Sequence, residues 1–409
     1  MRIIPRRNIV YYKGELKDII GLIIRGKIKA GPHIRQFEEQ FAQYIGTKHA
    51  IAVASGRLGL FLILEALSLN RNDEVILPAY TDESVPAVIQ GLGLTPIFID
   101  IERDTHNIDT NLIEGKINFR TKVILATHIF GRPCNLRKVA EIAQKHKLFV
   151  IEDCAHAIGA EYAGKRVGSF GTAAYYSFGI TKPFSTFGGG MITTNDTELC
   201  VRITKKVSRM PYPGVFTLSK NAIIYFCLLL ATARPIFSFT IFPLLLFLSN
   251  FNKDLINVYN KTVKQAVRPG QRTVKYTNIQ ALMGIKQLKS IDAENEMRRR
   301  NAALLRDRLN SNIEILRDGD DIRPTYYFFV VMTHNVSSIS KKLLRKGIDT
   351  GKHIMRDCSQ IYRKDLRCTS VQEAIETSLQ IPNYPRLTGA DMEYISGILM
   401  QEFKFRDEG

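Results

Sequence analysis

Four polar residues in the middle of the chain have the types and spacing for carbonyl–amine chemistry. Lys182 stands between the apolar run that closes at Ser177 and the triple glycine Gly188–Gly190, in the stretch SFGITKPFSTFGGGMITTND. A lysine amine condenses with an aldehyde, and pyridoxal phosphate held in this way needs an acidic partner for its ring nitrogen. Asp153 and His156, in FVIEDCAHAIGA, follow directly on a second apolar run. Asp153 would keep the ring nitrogen protonated, and His156, three residues on, would donate a hydrogen bond to the ring's phenolic oxygen. Each residue alone is weak: a lysine is commonly a solvated loop charge, and a carboxylate after a strand is frequent. The combination is more demanding.

The cofactor's phosphate also needs a cradle. In VASGRLGLFLILEAL an apolar run ends in Ser55-Gly56 and leads into a helical pattern, whose first N–H groups and dipole favour a bound anion. Gly56 lets backbone approach the phosphate closely, and Arg57 would add a bidentate contact. Ser177 is a second hydroxyl able to reach the same phosphate while Lys182 reaches the aldehyde carbon.

These residues must be held by the elements around them. Between His49 and Asp196 the runs HAIAVA, EVILP, PIFID, KVILAT, LFVIED and AAYYSF predict strands, and SGRLGLFLILEALSLN and NLRKVAEIAQKHK predict helices between them. That alternation implies an α/β fold with a mainly parallel sheet, in which ligands bind at the carboxyl ends of the strands. Residues 281–315 carry apolar positions at helical spacing amid many charges, as a long solvent-facing connector helix would. Beyond it TYYFFVVMTH predicts a strand, SSISKKLLRKGI a helix, and TGADMEYISGILMQEF a terminal helix opened by Thr388. The expected division is a large domain over 1–290, including an N-terminal arm, and a smaller α/β domain over 291–409.

The 409 residues are 45% hydrophobic, enough for a sizeable core, and the net charge of +18 makes a surface attractive to polyanions. No helix-turn-helix, zinc-finger or ribonucleoprotein motif accompanies that charge, so nucleic acid is not an expected partner. The six cysteines form no CxxC pair and no short Cys/His spacing, which speaks against a metal site. With no continuous apolar run in the first residues, they suggest a reducing, cytoplasmic setting. One segment breaks the soluble pattern: Asn221 to Phe251 is almost wholly apolar, interrupted by Arg234, Pro235 and Pro243. Neither half cleanly reaches the about 20 apolar residues of a spanning helix. Lys205, Lys206, Arg209 and Lys220 precede it and Lys253, Lys261 and Lys264 follow, which suits a hairpin that bends at Arg234-Pro235 and enters one leaflet from the cytoplasmic side. The competing reading is an insertion packed against a partner subunit.

The order of motifs resembles the DegT/StrS family of pyridoxal-phosphate sugar aminotransferases. GPHIRQFEEQFAQYIGTKHAIAVASG, DEVILPAYT, GLTPIFIDIERDTHNID, EDCAHAIGAEYAGKRVGSFGTAAYYSFGITK and GGGMITTND carry the resemblance, which continues weakly through IQALMGIKQLKSID and QIPNYPRLT. It implies an aspartate-aminotransferase-like fold in a homodimer with active sites at the subunit interface. Lys182 falls on the lysine that bonds the cofactor, Asp153 on the partner of the ring nitrogen, His156 on the contact to the phenolic oxygen and Ser177 on a phosphate ligand. Three positions depart from the family pattern. Arg57 replaces a threonine, Asp82 an aromatic residue near the ring, and Thr273-Val274-Lys275 the motif whose asparagine reaches the neighbouring subunit's phosphate. Arg57 and Asp82 change the charge beside a charged cofactor, which suggests an altered substrate.

The function implied is transfer of an amino group from an amino acid, glutamate in the family, to a keto-sugar linked to a nucleotide or lipid carrier at the membrane surface. Sugar dehydration is the alternative, but that branch carries histidine where this chain has Lys182. A non-catalytic scaffold is a further alternative, opposed by the intact set of Lys182, Asp153, His156 and Ser177. His128, at the end of a strand run, is expected to be structural, and His353, in GKHIMRDC, is a candidate substrate contact.

Overall fold

The computed structural model describes all of the chain except residues 11, 13, 250–272, 310–312, 364–365 and 405–409. Six predicted runs become β1 (His49–Val53), β2 (Glu74–Pro78), β3 (Thr95–Ile99), β4 (Thr121–Thr127), β5 (Phe149–Asp153) and β6 (Ala173–Ser177). A further strand, β7 (Gly190–Thr194), follows the triple glycine. They form one sheet in the order β1-β7-β6-β5-β4-β2-β3. The pairs β3/β2, β2/β4, β4/β5 and β5/β6 are parallel, while β7 runs antiparallel to both β6 and β1. Every residue of β2 and β7 is buried, as expected of strands covered on both faces. The helices α1 (Gly56–Ala66) and α2 (Leu136–His146) start where the sequence predicts, because Ser55 and Asn135 cap them: their side chains accept from the N–H of Leu58 and Lys138.

Two adjacent carboxylates on β5 divide the work of the sheet edge, since neighbouring side chains in a strand point to opposite faces. Glu152 turns into the interior and accepts hydrogen bonds from the backbone N–H of Gly168 (2.7 Å), Phe170 (2.9 Å) and Gly171 (2.8 Å). It thereby fixes the loop that leads into β6. Asp153 turns to the other side, toward Lys182.

The apolar segment forms helix α3 (Val215–Thr232), an extended residue at Ala233, and a second helical stretch over Arg234–Ser249 containing a π-helical turn at Phe237–Ile241. The bend therefore falls one residue before the expected Arg234-Pro235, because Pro235 opens the second stretch, where its missing N–H costs nothing. Among the described residues α3 is the one helix long and apolar enough to cross a membrane by length and composition. Tyr225, Phe237, Phe242 and Leu245 are buried against the protein, whereas Ile223, Leu230, Phe239 and Phe247 are exposed. Asn250, Phe251, Lys253, Lys261 and Lys264 lie outside the described residues.

The expected single solvent-facing helix over 281–315 is instead two helices, α4 (Asn278–Leu288) and α5 (Ile291–Arg308), and α5 exposes one face while burying the other. Its Glu294, Asn295, Arg298 and Asn301 are buried. Their polarity suits a bridging role: Asn295 donates to the Ile158 carbonyl (3.0 Å) and Asn301 to the Tyr384 carbonyl (3.2 Å). Beyond α5 a small antiparallel sheet pairs Phe329–Met332 and Gly351–Lys352 with Ser378–Ile381. The strand predicted over TYYFFVVMTH is thus shorter than its apolar run. The N-terminal arm reaches into the core behind this sheet, where Ile4 is fully buried and hydrogen-bonds Gly347 and Asp349.

Candidate active site

The residues singled out for amine chemistry converge at the carboxyl ends of β5 and β6. Asp153, the last residue of β5, is buried, and its Oδ1 accepts from the Ala155 N–H at 3.0 Å. Burial raises its pKa; Tyr175, the Ala155 amide and the nearby charge of Lys182 only partly oppose the shift. The site thus holds a carboxylate that gains from any cation placed against it. Tyr175, its register partner on β6, is a residue the motif pattern did not single out. Its hydroxyl lies beside Asp153, outside strict hydrogen-bond geometry with any of the described residues, and burial pushes the phenol's pKa well up.

Lys182 follows β6 on a loop tied at several points. Its own N–H donates to the Gly179 carbonyl (2.9 Å), and the Phe178 N–H donates to the Gly189 carbonyl (2.8 Å). A Cβ on Gly179 would stand 3.7 Å from Ser177 Oγ and 3.9 Å from Lys182 Cγ, so serine and lysine flank the same point.

The triple glycine next to this loop has a packing cause. A Cβ on Gly190 would lie 2.4 Å from the Tyr176 carbonyl oxygen and 2.8 Å from the Gly56 nitrogen. One on Gly189 (φ 112°) would lie 2.3 Å from the Tyr276 ring. Removing these side chains lets β7 press against Ser55-Gly56, whose own missing Cβ would sit 3.0 Å from Ser177 Cβ. Ser55, Gly56 and Ser177 therefore stand together at the N-terminus of α1. Ser55 Oγ accepts from the Leu58 N–H at 3.1 Å, which leaves its O–H to donate to an anion.

His156 is buried and its ring stacks on Phe130, with centroids 6.1 Å apart and planes 6° apart. The Tyr327 ring lies 4.9 Å away on a second side. Tyr327 is brought there by hydrogen bonds from the Thr325 and Tyr327 N–H groups to the Gly131 and Phe130 carbonyls (2.9 and 3.0 Å). Phe130 adopts a left-handed backbone (φ 53°), the kind of local strain that surrounding contacts must hold in place.

Two departures from the expected pattern interact. Arg57 is half-buried, which lowers its pKa, and the charge of Asp82 opposes that shift. Asp82 also accepts from the N–H (3.0 Å) and hydroxyl (2.7 Å) of Ser84, which holds its carboxylate at the start of the following helix. An arginine and an aspartate thus act on one another electrostatically. Thr273, Val274 and Lys275 lead into α4, with the Lys275 N–H donating to the Pro211 carbonyl at 2.9 Å.

His128 is structural. Its Nδ1 accepts from the Cys134 N–H (3.2 Å), so Nε2 carries the proton and donates to Glu152 (3.2 Å). Although His128, Glu152 and Cys154 bring ligand atoms within 4.8 Å of one another, Glu152 is already engaged by three amides and this imidazole. His353 is exposed, and its Nδ1 lies 3.1 Å from the Ile375 carbonyl.

The donor set fits a pyridoxal phosphate. A buried acid awaits a cationic ring nitrogen, a lysine stands beside it, and two serines with a glycine-lined helix N-terminus form an anion cradle next to both. The comparisons with known proteins agree in fold. The model of the DegT/DnrJ/EryC1/StrS aminotransferase family matches residues 12–216 and 252–400, so that the unmatched stretch between them coincides with the apolar segment. The chain is similar to the spore coat polysaccharide biosynthesis protein SpsC of Bacillus subtilis, 40% identical over 191 residues. That match covers 47% of this chain, which thus spans about half (49%) of SpsC. GDP-perosamine synthase of Escherichia coli O157:H7 is 28% identical over 373 residues, covering 89% of this chain and 88% of that protein. Among solved structures, NtdA of Bacillus subtilis with bound cofactor PMP superposes with a TM-score of 0.75 at 24% identity, over 99% of this chain and 86% of that one.

The raised pKa of Asp153 has a consequence for the cofactor-free protein. Below about pH 4 both folded and unfolded chains hold the proton; as pH rises the unfolded chain releases it first, so stability falls until the folded pKa is passed. Asp153→Asn removes that loss. Cofactor-free Asp153→Asn should therefore melt above wild type at pH 7, by roughly 1–2 °C per kcal/mol recovered, and together with it near pH 3.5. Differential scanning calorimetry at the two pH values checks this; equal melting at pH 7 contradicts the assigned burial cost.

Proposed function

Because the chain belongs to the DegT/DnrJ/EryC1/StrS aminotransferase family, we propose that it is a pyridoxal-phosphate-dependent aminotransferase that moves an amino group from an amino acid, glutamate by preference, to a keto-sugar. The observation that carries the reading is the meeting of Lys182 and the buried Asp153 beside the Ser55-Gly56-Ser177 cradle. Bound there, the cofactor would supply an aldehyde for the amine and a ring that withdraws electrons as a neighbouring carbon–hydrogen bond breaks. Asp153 would hold the proton on the ring nitrogen, His156 would donate to the phenolic oxygen, and Ser55, Gly56, Ser177 and Arg57 would bind the phosphate. The Lys182 amine, released from the cofactor during turnover, would take a proton from one carbon and return it to another. A nucleotide carrier for the sugar is supported by GDP-perosamine synthase and by the dTDP-3-amino-3,6-dideoxy-alpha-D-galactopyranose transaminase of Aneurinibacillus thermoaerophilus, 42% identical over 194 residues that cover 47% of this chain and 53% of that protein. A homodimer with shared active sites belongs to the same reading.

The test combines trapping with turnover. Borohydride reduction of the loaded protein, followed by peptide mass mapping, should place the cofactor on Lys182. With glutamate as donor, GDP- or dTDP-linked 4-keto- and 3-keto-6-deoxysugars should give the amino-sugar, and Lys182→Ala should lower the rate by at least about a thousandfold. Cofactor trapped elsewhere, or an unaffected Lys182→Ala variant, would sink the assignment.

A lipid-linked sugar is the second reading, favoured by the apolar hairpin. Tyr225 of α3 lines the same small cavity as Lys182, while Ile223 and Leu230 of that helix and Phe239 beyond it are exposed. The hairpin would rest on the cytoplasmic leaflet and keep the enzyme at the membrane surface. Purified protein should then sediment with vesicles of mixed neutral and anionic phospholipid, less so at high salt, and Leu230→Asp with Phe239→Asp should release it. Wild-type protein that stays in the supernatant would leave the nucleotide-linked reading alone.

A further inference from the structure

The loop that carries Lys182 is held by residues distant in sequence. The peptide unit joining Thr181 to Lys182 is engaged at both ends. Its N–H donates to the Gly179 carbonyl at 2.9 Å, and its carbonyl oxygen accepts from Arg7 Nη1 at 2.7 Å and from the Tyr327 hydroxyl at 2.5 Å. A carbonyl oxygen has two lone pairs, and both are used. Because the peptide unit is planar, fixing its two ends fixes the plane and with it the position of the Lys182 Cα from which the side chain leaves the backbone.

Arg7 is itself held in place. Its guanidinium lies 5.5 Å from the centre of the Tyr327 ring and 5.0 Å from that of Phe328. On one side of it Arg6 pairs with Asp349 (2.7 Å) in the small-domain core. On the other, the Asn8 side chain donates to the Thr232 carbonyl (2.9 Å) and the Ile9 N–H to the Thr232 hydroxyl (3.2 Å), at the end of α3. Arg7, Thr181, Lys182, Tyr225, Arg298 and Tyr327 all line a cavity of about 60 Å³. An arm that merely covered the site would have no need to direct a half-buried cation at one main-chain oxygen.

We propose that Arg7 and Tyr327 are positioning residues for Lys182, gripping the Thr181 carbonyl so that the lysine amine is aimed into the site, and that the N-terminal arm suspends this grip between the small domain and the apolar hairpin. The proposal rests on the aminotransferase reading for the role of Lys182. Arg7 is the cleaner of the two to test, since Tyr327 also touches His156.

The experiment compares full-length wild type, Arg7→Met, Arg7→Lys and Tyr327→Phe, each loaded with pyridoxal phosphate. Three quantities are read: the pH midpoint of the visible absorbance band, borohydride-trapped cofactor on Lys182, and steady-state transfer from glutamate. Arg7→Met should move the band's midpoint and lower kcat about 10- to 100-fold, as expected of a misaimed catalytic group, with KM for glutamate within about twofold. Arg7→Lys should recover much of both effects, and Tyr327→Phe should shift the midpoint in the same sense as Arg7→Met. Wild-type values in Arg7→Met would overturn the proposal while leaving the aminotransferase reading intact. So would a loss confined to melting temperature, with the midpoint and kcat of the folded fraction unchanged. Failure of wild type to take cofactor on Lys182 would overturn both.

Discussion

A carboxylate withheld from water is the constraint on which the site is built. Asp153 ends a central parallel strand in the interior, where burial outweighs the amide, the phenol and the nearby charge of Lys182 that favour its ionised form. Such a group is costly in an empty site and strongly favourable to a cation that docks against it. The neighbouring acid shows the contrast: Glu152, one residue earlier and on the opposite face, meets its needs internally with three amides and His128. One strand end thus carries a finished structural knot and an unfinished binding group side by side.

The surrounding elements serve to bring a lysine and an anion cradle to that acid. Missing side chains at Gly56, Gly189 and Gly190 let β7, β6 and the start of α1 approach closely enough for Ser55 and Ser177 to share one corner. The lysine loop then has to be tied from outside. Gln287 of α4 exchanges hydrogen bonds with both backbone groups of Ser185, and Arg7 and Tyr327 take the Thr181 carbonyl. These ties come from the arm, from α4 and from the residues entering the small sheet, so the geometry of one side chain draws on widely separated parts of the chain.

How much of this was legible follows from the range of the interactions. The six strand runs and the helices α1 and α2 are local signals, and the structure places each where the pattern implied. The pairing of Arg57 with Asp82 was not legible, because two departures 25 positions apart carry no mark that they face one another. Nor was the grip of Arg7 on Thr181, which spans 174 residues. The helix over 281–315 misled because charges set among apolar positions at helical spacing ordinarily mean a solvated face, whereas Glu294 and Arg298 are buried beside Asn295 and Asn301, which donate to main-chain carbonyls. Strand β7 was missed because its glycine start looked like a turn, although its missing side chains are what allow it to pack.

The central claim is that Lys182 and Asp153 work on one cofactor to accept an amine. The most direct measurement is a single half-reaction: purified, cofactor-loaded protein mixed with glutamate and no acceptor, followed by its visible absorbance and by released 2-oxoglutarate. Loss of the visible band together with about one equivalent of 2-oxoglutarate per chain is the predicted result, as a ping-pong transfer requires. A band that persists while no keto acid appears, across a panel of amino donors, would contradict it.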